Sequence, residues 1–139
     1  MMTDPAAMPV ELLILGASVL LLLVHLGIQG QSATRERGVA WNAGPRDEAV
    51  PPLGRLAGRA ERARDNFLET YPAFIALALA LVLASRTGDV GTLGAWIWIG
   101  ARVVYLPLYL LGIPYLRSLV WLVSIAGLLL MLARLFGFV

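Results

Sequence analysis

Cysteine is absent from the 139 residues, which excludes disulfides, a protein thiolate nucleophile and cysteine-ligated metals. Any sulfur chemistry must arrive with a ligand. Lysine is absent too, all 11 basic side chains being arginine, and charged residues make up only 14% of the chain. With 59% hydrophobic residues and a mean hydropathy of +0.78, the chain is far too apolar for a soluble domain of this size, so the bilayer is its expected solvent. Seven arginines fall between Arg35 and Arg64, interleaved with Glu36, Asp47, Glu48 and Glu61 and followed by Asp65. This is local enrichment without a basic reading face, and nucleic-acid binding is set aside. The single histidine, His25, lies in an apolar run and reads as a core or interface residue, leaving no expected metal site.

What is present is a set of apolar runs. Leu12 to Ile28 is interrupted only by His25 and is about long enough for a hydrocarbon core of roughly 30 Å. Met1 to Glu11 carries Asp4 and Glu11 but no Lys or Arg, unlike a cleavable leader, so the segment reads as retained. Gly44-Pro45 and Pro51-Pro52 punctuate a loop and favour a helix start after it. The uninterrupted apolar stretch that follows, Pro72 to Ala84, gives only about 20 Å of helix, too short to cross alone. Asn66 and Glu69 must therefore lie at membrane depth. Ser85 to Asp89 is a tight turn, the next run holds one interior charge, Arg102, and Gly112 to Pro114 turns into a last helix. The expected architecture is all-α: a single integral membrane domain over 1–139, with spans at about 10–30, 54–85, 90–112 and 116–137 and a loop over 31–53. Small residues such as Gly16, Ala17, Ala76, Ala78 and Ala80 permit close helix contacts. The arginine-rich loop places that end in the cytoplasm and both termini on the opposite side.

Arg55, Arg59, Arg62, Asn66 and Glu69 follow one another at steps of four, three, four and three, which puts them within a stripe of about 80° on one helical face. Arg55 and Arg59 read equally well as a solvated positive collar. Asn66 and Glu69 need partners, since a lone acid at the bilayer centre costs on the order of 2.5 to 3.5 kcal/mol. Arg102, Tyr105 and Tyr109 share a face of the next span, and its antiparallel course brings Arg102 level with Glu69. A buried Glu69–Arg102 ion pair is expected; the cavity beside it, and with it the assignment of activity, depends on Glu69 facing inward. Arg117 and Ser118 open the last helix at the same end. Guanidinium forks grip carboxylates bidentately, so the group suits a small polyanionic ligand, with room for an apolar second substrate from the lipid.

The segment Glu61-Arg62-Ala63-Arg64-Asp65-Asn66-Phe67-Leu68-Glu69-Thr70-Tyr71-Pro72-Ala73-Phe74 resembles the second-helix signature of the MAPEG family, membrane-associated proteins in eicosanoid and glutathione metabolism. Length, the long first loop and Arg102 through Ser118 agree with it over nearly the whole chain. The resemblance implies a four-helix bundle assembled as a homotrimer, with glutathione between subunits near the cytoplasmic face of a bacterial inner membrane. It implies that Arg62, Asn66 and Glu69 contact glutathione, that Arg102 partners the glutamate, and that Tyr105 and Tyr109 flank the tripeptide. Arg117 and Ser118 resemble an Arg-Ser pair that lies by the thiol in the prostaglandin E synthase branch. Asp65 stands where that branch carries an arginine and Tyr105 where it carries histidine, so this site is less positive.

The function expected is a glutathione-dependent transferase or peroxidase acting on lipophilic electrophiles. Arg117, with Ser118 or Tyr109, would hold as thiolate a thiol whose ordinary pKa is roughly 8.5. The alternative is a non-catalytic membrane scaffold or lipid-binding protein of the same fold, its charges fixing helix packing. A transporter subunit ranks last, because the paired broken helices of such proteins are missing.

Overall fold

The structure is a computed structural model that describes residues 7–139; residues 1–6 of the segment expected to be retained lie outside it. Among the described residues the chain forms α1 (Val10–Arg37), α2 (Val39–Ala43), α3 (Arg55–Leu83), α4 (Asp89–Leu111) and α5 (Pro114–Phe136). All but α2 are long and apolar enough to cross a membrane. The 28 residues of α1 and 29 of α3 extend about 42 and 44 Å, past a hydrocarbon core of roughly 30 Å. Their surplus is polar: α1 stays helical through residues 31–37, expected as loop, and α3 opens with its arginines. The connection is reduced to α2 and residues 44–54.

The α4–α5 turn has no slack. Gly112 closes α4 at φ 72°, the left-handed region that glycine enters without steric cost. Its N–H donates to the Tyr109 carbonyl at 3.0 Å and that of Ile113 to the Leu108 carbonyl at 3.1 Å. α5 then begins at Pro114, where a missing N–H costs no helical bond.

Buried positions on α3, among them Ala60, Ala63, Phe67, Tyr71, Phe74, Ala78 and Leu81, recur at steps of three and four, which makes one inward seam. Phe74 stacks on Trp98 of α4 at 3.9 Å, while Ile14 and Leu21 of α1 and Met131 of α5 complete the core. The Ser18 and Tyr71 hydroxyls meet at 2.8 Å between α1 and α3, and buried His25 stacks on Phe67 at 4.8 Å, within the core.

α4 and α5 approach backbone to backbone: a Cβ on Gly94 would lie 2.5 Å from the Gly127 carbonyl oxygen, and one on Gly127 would lie 2.6 Å from that of Gly94. Close contact of this kind replaces the hydrophobic drive that lipid does not supply. Of the small residues singled out in the sequence, Ala78 is buried in the core, while Gly16, Ala17 and Ala76 are exposed.

Glu11, in the first turn of α1, is 1% exposed. Its Oε1 accepts from the Gly88 N–H and from the Thr92 hydroxyl, both at 2.8 Å. A carboxylate thus caps the N-terminus of α4 from another helix, satisfying an orphan donor and meeting the positive end of the dipole. Leu20, Leu23, Leu79, Leu122 and Leu129 meanwhile stand exposed, a surface suited to lipid tails rather than to water.

Candidate functional site

α3 brings its polar stripe to the seam with α4 and α5, and the two edges of the stripe meet different surroundings. Asn66 and Arg59 turn partly inward, whereas Arg62 and Glu69 are exposed. Arg102 of α4 is fully buried and donates from Nη1 to the Asn66 Oδ1 at 2.9 Å. Its guanidinium also lies 4.4 Å from the Tyr105 ring centroid and 5.5 Å from that of Phe67, contacts in which the aromatic faces attract the cation.

The expected Glu69–Arg102 ion pair is therefore corrected. Among the described residues Glu69 forms no salt bridge, because the seam of Ala63, Phe67 and Tyr71 rotates α3 so that Asn66, one turn away, meets Arg102 instead. The cavity expected to vanish with that pair nevertheless exists, built on the amide rather than on the carboxylate.

That cavity, about 250 Å³, is lined by Asn66, Tyr105, Tyr109, Arg117, Ser118 and Trp121. Tyr109 packs beside Tyr105 at 5.6 Å, and the Arg117 guanidinium sits 4.5 Å from the Tyr109 ring centroid. A second cavity, about 210 Å³, shares Tyr109 and Arg117 with the first and adds Arg59, Arg62, Gly112 and Pro114. Arg59, Arg62 and Arg117 form no salt bridge among the described residues. Three guanidiniums around one hollow without a carboxylate favour an anionic guest.

Of the sequence-derived site residues, Asn66, Tyr105, Tyr109, Arg117 and Ser118 line the first cavity and Arg62 borders the second. Arg102 stands behind, holding Asn66, and Glu69 alone stands apart on the outer face of α3. Sequence reasoning missed Trp121, although its i+4 spacing from Arg117 puts it on the same face of α5. It also left Arg59 open between collar and site; its return to the α4–α5 turn has no local signal. Among the described residues no group of His, Asp or Glu side chains comes together as a metal site.

The MAPEG family model matches residues 12–137. The chain belongs to the MAPEG family. No curated protein and no solved structure matches it. MAPEG membership suggests a glutathione-related transferase or peroxidase, or a related membrane function, and members generally use glutathione as substrate or cofactor. The described donors fit such a ligand: guanidiniums lacking carboxylate partners stand next to a hollow lined by an amide and three hydroxyls.

Proposed function

We propose that the chain is a glutathione-dependent membrane transferase or peroxidase acting on lipophilic electrophiles. The observation that carries this reading is the convergence of Asn66, Tyr105, Tyr109, Arg117 and Ser118 on one cavity beside an arginine-lined second one. Arg62 and Arg117 are suited to receive carboxylates, and Asn66 to bond a peptide group while anchored by Arg102. Arg117 and the Ser118 or Tyr109 hydroxyl would stabilise negative charge on a sulfur placed between them, since a nearby cation and hydrogen-bond donors favour the ionised form. Glutathione supplies the nucleophilic sulfur: its thiol proton passes to solvent, and the new carbon–sulfur bond replaces the bond from that carbon to its leaving group, a halide when the electrophile is an aryl halide. The exposed leucines of α5, Leu119, Leu122 and Leu129, suit contact with lipid, from which a second substrate that partitions into the bilayer would approach.

The assembly proposed is a homotrimer, in which the outward Glu69 would meet ligand held between neighbouring chains. The arginine-rich end is assigned to the cytoplasmic face of a bacterial inner membrane.

The test is calorimetric titration of the purified protein with glutathione in detergent, together with turnover of an aryl halide. Binding is expected, with Arg117→Ala lowering kcat on the order of 10- to 100-fold through lost stabilisation of the thiolate, roughly 1.5 to 3 kcal/mol for a charged hydrogen bond. Absence of both heat and thermal shift with glutathione would sink the proposal. A non-catalytic scaffold predicts instead that Arg117→Ala and Ser118→Ala leave every phenotype intact.

A further inference from the structure

Arg59 performs a task that the ligand-binding reading does not require. Its Nη1 donates to the Leu110 carbonyl at 3.3 Å, one of the terminal carbonyls of α4 that have no helical partner. The same guanidinium lies across Gly112, where it would collide with any Cβ. Besides the Asn66–Arg102 bond, this is the only hydrogen bond joining α3 to α4 among the described residues. It reaches the turn at its tightest point: two residues separate α4 from α5, and Arg117 and Ser118 lie in the first turns of α5 after Pro114. A cation at a helix C-terminus also meets the negative end of the dipole.

We propose that Arg59 is a positioning residue, a latch that ties the α4–α5 turn to α3 and thereby fixes Arg117 and Ser118 over the first cavity. The latch acts through the backbone of Leu110 and Gly112. Arg117 receives a second constraint from Tyr109, whose ring faces its guanidinium. The two restrain different things: Arg59 fixes where α5 starts, and Tyr109 fixes where the Arg117 head points. The functional meaning of the latch rests on the proposed activity, but its mechanical content does not.

The test compares wild type, Arg59→Ala and Arg59→Lys in detergent without ligand, by amide hydrogen exchange. Losing a hydrogen bond from a charged donor is expected to speed exchange of the Gly112 and Ile113 amides about tenfold or more. Exchange in the middle of α1 and α3 should stay unchanged, and Arg59→Lys, which keeps a donor, should restore much of the protection. With glutathione and an electrophile, Arg59→Ala should lower kcat while shifting the KM for glutathione far less. Unchanged exchange at Gly112 and Ile113 in Arg59→Ala overturns the latch. So does a raised KM alone with normal exchange, which would make Arg59 a direct ligand contact. Arg59→Met, which keeps the stem and removes the donor, decides the question should Arg59→Ala fail to fold. If wild-type protein neither binds nor turns over glutathione, the activity proposal fails, and the exchange comparison still decides the latch.

Discussion

Asn66 shows how one side chain can hold a membrane site together. Its amide oxygen is the acceptor for Arg102, and Nε and Nη2 of that guanidinium have no partner among the described residues. Replacing Asn66 by Leu would leave a buried cation with aromatic faces alone. Losing a hydrogen bond to a charged group typically costs roughly 1.5 to 3 kcal/mol. Asn66→Leu is expected to lower the unfolding midpoint in detergent markedly, while Asn66→Asp, which supplies a carboxylate at the same place, is expected to retain it. A midpoint unaltered in Asn66→Leu would mean that Arg102 finds another acceptor. Asn66 was legible in the motif and Arg102 as the one charge inside its apolar run; their pairing was not. Taking Arg55 as the centre of the stripe, Arg59 and Asn66 fall about 20° to 40° to one side, and Arg62 and Glu69 about as far to the other. A stripe 80° wide straddles the boundary between interior and exterior. Only the bulk of Phe67 and Phe74 against α4 settles which edge turns inward.

Between helices, two contacts carry the arrangement, and neither has a strong local signature. Gly94 and Gly127 sit in unbroken apolar runs where many small residues compete as contact points. Gly127→Leu would drive a side chain into the Gly94 carbonyl and the Trp98 N–H, and overpacking of this kind costs roughly 1 to 3 kcal/mol or more. Its expected outcome is a lower unfolding midpoint, with α4 and α5 more open to limited proteolysis at the Gly112–Pro114 turn. Gly16→Leu, on an open face, should leave a single chain's stability nearly unchanged. Glu11 is the second case. In the sequence it is only an acid ahead of an apolar run, yet it caps α4 from the far end of the chain. Glu11→Ala should cost about 1 to 3 kcal/mol by leaving the Gly88 N–H and the Thr92 hydroxyl without their acceptor, and Glu11→Gln less. Chemical denaturation in detergent measures both.

Across the entire chain, the polar surplus of α1 and α3 and the α4–α5 turn lie at one end of the bundle, with the Glu11 cap and the turn after α3 at the other. Both candidate cavities sit at the arginine-rich end. The cysteine-free background makes sidedness easy to measure. With single substitutions in intact cells, Asp47→Cys is expected to resist a membrane-impermeant maleimide and Ser85→Cys to react with it. The reverse pattern would overturn the cytoplasmic assignment of the site while leaving its geometry untouched.

The number and order of the spanning helices follow from the amino-acid order alone, because in lipid every backbone N–H and C=O must be satisfied within a helix or a closed barrel, and long apolar runs, the second of them extended by the polar stripe of α3, allow only the former. Of the R-x-x-x-N-x-x-E segment and the later Arg-Ser pair, Arg62, Asn66, Arg117 and Ser118 border the two cavities, whereas Glu69 does not. Three-dimensional packing chose among equivalents: Asn66 over Glu69 as the partner of Arg102, Gly94 and Gly127 over the other small residues, and Arg59 as the tie to Leu110. Helical periodicity fixes which residues share a face. The direction that face points is set by how side chains far apart in the sequence fill the space between helices.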